Sequence, residues 1–184
     1  MILTERKLRQ AASDARIQYK YNSLNESLSR FDSATTYDLF VSHSFSDKEI
    51  VIGLLHLFTG AGYKVYVDWI EDSTLDRRNV TPETAALIRQ RVKQSKGTAY
   101  IATSNSTHSK WCPWELGVSD GMKGRVCILP VMETEFHGQE YLGLYPYLEY
   151  VSHYPEKGDF YVVDQKSTWK KVILSEWLKG QNPK

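Results

Sequence analysis

A single carboxylate, Glu115, stands in the stretch SKWCPWELG (residues 109–117) among two tryptophans, a cysteine and a proline. Trp111 precedes it by four residues, the separation that brings two side chains onto one face of a helix. Residues of these types admit two chemistries. A shielded carboxylate can stabilise positive charge as it develops, and a cysteine thiolate can act as a nucleophile. No neighbouring His or Lys arrangement generates a thiolate at Cys112, so the carboxylate is the stronger candidate. The competing reading is plain packing: Trp and Cys are mostly interior residues, and Leu116 can face inward on a helix that merely exposes Glu115.

The elements around the stretch favour a site over packing. YDLFVSHS has the apolar core of a buried strand in Leu39-Phe40-Val41, and Ser46 with Glu49 reads as a capping box opening a helix. Ile50, Val51, Leu54, Leu55 and Phe58 give that helix one apolar face, stopped by Gly60 and Gly62. KVYVDWI is a second strand. After the polar loop EDSTLDRRNV, Thr81-Pro82 forms an N-cap and N1 pair for the helix TAALIRQRVKQS. GTAYIATS, VCILPVM and YLEYVSHY are strands three to five, and Trp169, Val172, Ile173 and Trp177 predict a closing helix over 168–179. Strands alternating with helices imply a parallel sheet covered on both faces, with ligands at the carboxyl ends of its strands. Ser42-His43-Ser44-Phe45, Asp68-Trp69 and the segment from Ser104 to Glu115 then line one crevice.

Residues 1–36 read as an N-terminal helical extension and linker. Leu8, Ala11, Ala15 and Tyr19 recur at helical spacing, as do Leu24, Leu28 and Phe31 before the linker DSATT. Composition narrows the function further. The chain of 184 residues is 41% hydrophobic and 24% charged, with net charge +1. That is an ordinary globular balance, without a bias toward nucleic acid or an anionic membrane. No segment approaches a bilayer span, and the N-terminus lacks the apolar run of a signal peptide, which predicts a cytoplasmic protein. The two cysteines, Cys112 and Cys127, make neither a disulfide framework nor a metal site. The absence of a G-x-G-x-x-G cradle argues against a dehydrogenase.

The segments YDLFVSHSFSDKE, VYVDWIEDSTLD and SKWCPWELG, in that order and spacing, resemble the three signature boxes of a TIR (Toll/interleukin-1 receptor) domain over about residues 37–180. The resemblance is to stand-alone bacterial TIR proteins rather than receptor tails. It implies a flavodoxin-like fold with a five-stranded parallel sheet and helices on both faces. It also implies cleavage of NAD+ to nicotinamide and ADP-ribose or a cyclic isomer, in antiphage defence signalling. The family's catalytic glutamate, four residues after a tryptophan, maps onto Glu115. Two departures bear on pocket shape: EDSTLDRRNV lacks the glycine that many relatives carry there, and TSNSTHS offers only His108 where an aromatic is common.

The implied chemistry suits a lone carboxylate. Breaking the nicotinamide–ribose bond expels a neutral leaving group, so no general acid is required, and the need is for negative charge beside an oxocarbenium ion. With Cys112 as cap and Pro113 at N1, Glu115 falls in the first turn of its helix, where the dipole favours its charged form. Trp111 presents a ring face to a cationic pyridinium, and Trp114 packs. Ser42, His43, Ser44 and Phe45 are the expected nucleotide contacts, and Asp68 either binds a ribose hydroxyl or fixes Trp69. NAD+ is thus a substrate, with no cofactor or metal expected. The expected partners are further copies of the chain, through TIR–TIR contacts in which Asp72 and Asp76 oppose Arg77 and Arg78, and a downstream effector that reads a nucleotide signal. Two other readings stay open: a non-enzymatic TIR–TIR adaptor and a nucleoside deoxyribosyltransferase-like enzyme.

Overall fold

Strand β1 (Tyr37–Ser42) lies inside the sheet, with β2 (Val65–Tyr66) on one side and β3 (Ser95–Ala102) on the other, both parallel to it. This is seen in a computed structural model that describes residues 3–18, 35–72, 81–132, 140–152 and 158–184. β4 (Val126–Pro130) and β5 (Tyr147–Val151) continue the parallel set. The sheet then extends beyond the five predicted strands. β6 (Asp159–Asp164) and β7 (Ser167–Ile173) join antiparallel, giving among the described residues seven strands in the order β2-β1-β3-β4-β5-β6-β7.

The last two strands correct the expected helix over 168–179. Trp169, Val172 and Ile173 fit a helical spacing, but this aromatic and β-branched run pairs as β7, and only Leu174–Trp177 is helical (α6 in chain order). The hairpin turn that makes the pairing possible is DQKS. There the Lys166 N–H donates to the Asp164 carboxylate at 2.7 Å.

Alternation along β1 sends its side chains to two cores. Leu39 and Val41 enter the larger one, with Ile50, Leu54 and Phe58 of helix α2 (Lys48–Gly60) and Trp177 of α6. Phe40 enters the other face beside Tyr66 and Ile88 and Val92 of α4 (Pro82–Gln94). Helix α2 ends where predicted, and Gly62 makes the turn with φ of 89°, a conformation that suits glycine. Helix α4 opens on the predicted cap. The Thr81 hydroxyl accepts from the Thr84 N–H at 3.2 Å.

Helix α1 (Glu5–Gln18) shares the larger core. Leu3 and Leu8 pack there with β1 and α2, Ala12 is also buried, and Leu3 forms a parallel bridge with Val131 just beyond β4. The closeness of α1 to α2 depends on Gly53, where an ideal Cβ would lie 2.1 Å from the Leu8 carbonyl oxygen. The second helix expected in the extension, around Leu24, Leu28 and Phe31, lies outside the described residues, as do Asp76, Arg77 and Arg78.

The chain moves outward from β1 to β2, then returns past β1 to β3. The connection reverses between β1 and β3, and in open α/β sheets ligands bind at the carboxyl end of such a reversal. The segments leaving β1 and β3 therefore lie at the end of the sheet where this rule places a ligand.

Candidate active site

Helix α5 (Trp111–Lys123) carries the carboxylate to this end of the sheet. The Ser109 hydroxyl accepts from the Cys112 N–H at 3.3 Å and starts the helix two residues earlier than a Cys112 cap would. Glu115 is consequently the fifth helical residue rather than part of the first turn, and the dipole contribution predicted for it falls away. What holds the carboxylate is a side chain of β1. The Ser42 hydroxyl donates to Glu115 Oε2 at 2.6 Å, and both residues are fully buried. The contact is at the short end of the O–H···O range and ties the carboxyl group to the sheet.

Trp111 sits one helical turn before Glu115 and is half-buried. Its ring meets Trp114 edge-on, with centroids 5.3 Å apart. Trp114 packs against the Phe40–Tyr66 core with Arg89 over its ring at 5.9 Å, so it packs as its spacing predicts. Cys112 and Leu116 are buried beside Tyr100 and Ala102, and burial of the Cys112 thiol suits packing rather than nucleophilic attack.

The other residues predicted for the site divide between two faces of the sheet. Ser42 points with Phe40 toward α5, while His43 follows Val41 to the α2 side. His43 is fully buried, and its ring is internally committed: Nδ1 lies 3.0 Å from the Val41 carbonyl, and Nε2 accepts the Trp69 indole N–H at 3.0 Å. Those two partners define a neutral imidazole with its proton on Nδ1. Asp68, also buried, opens the short helix α3 (Asp68–Glu71) and places Oδ1 3.4 Å from His43 Nε2. Trp69 is therefore fixed by His43, with Asp68 alongside.

Ser44 and Phe45 lead into a single 3₁₀ turn, Phe45–Asp47. The expected Ser46–Glu49 capping box is absent: Ser46 donates its N–H to the Ser44 hydroxyl at 3.4 Å, and Glu49 pairs with Arg9 of α1 at 2.7 Å. Phe45 is 56% exposed and carries the Lys48 ammonium 4.1 Å from its centroid, and the same ammonium lies 5.5 Å from the Trp69 ring centroid. Asp72 is likewise turned from the role expected of it. Its carboxylate accepts from Arg91 Nε and Nη2 at 2.8 and 2.7 Å and from the Tyr66 hydroxyl at 2.7 Å, a nearly buried pair that anchors the end of α3.

The residue most clearly missed in the sequence is Asp47. Buried at the start of α2, it accepts from the Thr103 hydroxyl and from Asn105 Nδ2, each at 2.6 Å. In the sequence it stands inside S-D-K-E, where a cap supplies a sufficient role. Among the described residues, no group of three or more His, Cys, Asp or Glu side chains is arranged to hold a metal ion, and no helix is long and apolar enough to cross a membrane.

Comparison with known proteins bears on this geometry. The TIR domain family model matches residues 39–159. A Bacillus cereus (strain MSX-D12) protein, by name a probable 3′ cyclic ADP-D-ribose synthase, ThsB′, is 41% identical over 165 residues, covering 88% of this chain and 82% of that protein. A Cytobacillus dafuensis protein with the provisional name cyclic ADP-D-ribose synthase TIR2 is 33% identical over 84 residues, 45% of this chain and 22% of that protein's length. The crystal structure of the TIR domain of the Toll-related receptor TRR-2 from Hydra magnipapillata aligns with a TM-score of 0.46 at 22% identity, covering 61% of this chain and 82% of that one.

Proposed function

From its place in the TIR domain family, to which this chain belongs, we propose that the protein cleaves the nicotinamide–ribose bond of NAD+. The observation that carries the reading is the buried Ser42–Glu115 hydrogen bond at the carboxyl end of β1, with Trp111 one turn before the carboxylate. The names borne by the two bacterial relatives support the same substrate and favour a cyclic product.

In the proposed reaction the C1′–N bond breaks and its electron pair leaves with the nicotinamide nitrogen. The pyridinium becomes neutral nicotinamide and the ribose becomes an oxocarbenium ion. Glu115 supplies the negative charge beside that ion, held in place by Ser42 so that little reorganisation accompanies the reaction. Trp111 offers a ring face to the cationic pyridinium before cleavage. Attack by water then yields ADP-ribose and a proton. Attack by a hydroxyl or adenine nitrogen of the same molecule yields a cyclic ADP-ribose isomer and a proton, the route that the relatives' names favour. The product is a diffusible nucleotide signal, and we place the enzyme in antiphage defence, in the cytoplasm, self-associating through TIR–TIR contacts and signalling to a downstream effector. NAD+ enters as substrate, and none of these steps calls on a cofactor or metal.

Incubation of the purified protein with NAD+, and separately with deoxynucleosides, tests the reading by chromatography and mass spectrometry of the products. Nicotinamide released only from NAD+ is the expected result. Release of free base from deoxynucleosides identifies a deoxyribosyltransferase, and inertness toward both leaves an interaction module. Glu115→Gln keeps the shape and removes the charge, and should cut turnover by at least about 10²-fold. Near wild-type turnover in a folded Gln variant would sink the assignment.

A further inference from the structure

The segment leaving β1 and the segment running from β3 into α5 are joined by buried side-chain hydrogen bonds at two places. One is the Ser42–Glu115 bond. The other is Asp47, whose carboxylate accepts from Thr103 and Asn105. We infer that Asp47 is a positioning residue for Glu115: it sets the spacing of the two segments, and so the placement of the carboxylate and of Trp111. The inference rests on the NAD+-cleaving reading of the site.

Three observations carry it. First, Asp47 stands at the N-cap position of α2, where an aspartate ordinarily accepts a hydrogen bond from its own helix, yet it makes no side-chain cap bond. Its carboxylate reaches instead to residues 56 and 58 positions away in the chain. A local preference overridden in this way marks a place where the fold serves something other than the helix.

Second, what Asp47 grips is rigid. Thr103 and Ser106 are buried and close a ring of hydrogen bonds. The Thr103 N–H donates to the Ser106 hydroxyl at 3.1 Å, the Ser106 N–H to the Thr103 hydroxyl at 3.0 Å, and the Ser106 hydroxyl to the Thr103 carbonyl at 2.9 Å. Asp47 therefore holds a closed unit, not a single side chain. Third, the route from that unit to the carboxylate is short. The 3₁₀ turn Ser106–His108 ends at Ser109, whose hydroxyl starts α5. A shift of the turn moves Trp111 and Glu115 with it, while Ser42 stays in the sheet. Misplacements of about 1 Å in such arrangements cost on the order of 10²-fold in rate.

The test is steady-state kinetics of nicotinamide release with Asp47→Asn, Thr103→Val and Thr103→Ser, with hydrogen–deuterium exchange on the same proteins. Asp47→Asn retains volume but puts an amide where two donors converge. It should lower kcat roughly 10- to 100-fold with KM nearly unchanged, because the loss falls on the transition state. Thr103→Val should act in the same direction, and Thr103→Ser, which keeps the hydroxyl, should restore most of kcat. Exchange should rise in residues 104–116 and stay at the wild-type level in β5–β7. Wild-type kcat and wild-type exchange in folded Asp47→Asn and Thr103→Val would overturn the inference. So would equal losses in the Val and Ser variants, which would point to general destabilisation. If Asp47→Asn does not fold, the Val and Ser pair decides alone. A wild-type protein inert toward NAD+ overturns the proposed activity and with it the catalytic half of this inference; exchange then still reports whether Asp47 joins the two segments.

Discussion

Gly53→Ala sets two effects of opposite sign against each other. Within helix α2 the substitution should help, since alanine is favoured over glycine by about 1 kcal/mol in a helix interior. Against that, the added Cβ would sit 2.1 Å from the Leu8 oxygen, 2.8 Å from its carbonyl carbon and 3.1 Å from its Cα. All three are backbone atoms, so no side-chain rotation relieves the overlap. Helix α1 must slide or lift. Sliding costs what overpacking costs, about 1–3 kcal/mol, and a rigid neighbour places it near the top of that range. Lifting α1 away entirely would expose Leu3 and Leu8, both buried. That would cost about 1.5–3 kcal/mol for each, so sliding is the cheaper escape. The net expectation is a loss of about 1–2 kcal/mol, or roughly 2–8 °C in melting temperature for a chain of this size.

Thermal denaturation followed by circular dichroism reads the result, and limited proteolysis of the N-terminal segment shows whether α1 has loosened. Gly121→Ala in α5 is the control. Nothing lies within 4 Å of its ideal Cβ. Helix propensity acts there alone, and the variant should gain up to about 1 kcal/mol. If both alanines stabilise alike, α1 does not pack on α2 as described, and its place in the core is wrong.

Further substitutions probe the site and its support. Trp111→Phe should keep appreciable NAD+ turnover and Trp111→Ala should lose most of it with little change in melting temperature, whereas Trp114→Ala should cost about 1–3 kcal/mol in stability; the opposite pattern reverses the roles given to the two rings. Asp72→Ala leaves the Arg91 guanidinium buried without its carboxylate and should cost about 3–5 kcal/mol by denaturant titration. The double variant Asp72→Leu/Arg91→Met should recover part of that loss, since the buried Tyr66 hydroxyl still lacks its acceptor, and no recovery would mean that the pair does more than neutralise itself.

The parts of this fold legible in the sequence were those in which one local signal decided the outcome. Leu39-Phe40-Val41 is too apolar and too short for anything but a buried strand, and Thr81-Pro82 opens a helix by its own chemistry. Errors arose where a nearby alternative looked complete. Trp169, Val172 and Ile173 satisfy a helical period, and only the partner strand β6 makes them a strand. The S-D-K-E run satisfies a capping box, but Thr103 and Asn105 offer the Asp47 carboxylate two donors that the helix cannot match, and Arg9 draws Glu49 away. Glu115 was legible as a candidate because a carboxylate among aromatic rings is unusual. Its hydrogen bond to Ser42 was not, since it joins residues 73 positions apart and follows from strand order alone.

That strand order also separates two neighbours that the sequence treats as one loop. Ser42 and His43 are consecutive, and side chains at the end of a strand point to opposite faces. Ser42 therefore meets Glu115 on the α5 side, while His43 turns beneath the α2 side and takes the Trp69 N–H. The two contacts differ in kind. Ser42 touches the carboxylate that the proposed chemistry uses, whereas His43, with no exposed surface and both ring nitrogens committed, acts through the ring it holds. Trp69, Lys48 and Phe45 then form a second cluster on the other side of the sheet end from Glu115, a cation in contact with two aromatic rings. The bond cleavage proposed for the protein belongs to the α5 side, where the carboxylate is. Asp47 joins the two sides, because its own turn carries Phe45 and its carboxylate grips the segment that leads to Glu115. A lone carboxylate is sufficient for the proposed reaction only if its position is fixed: Ser42 at the end of β1 holds it directly, and in our inference Asp47 at the start of α2 holds the segment that leads to it.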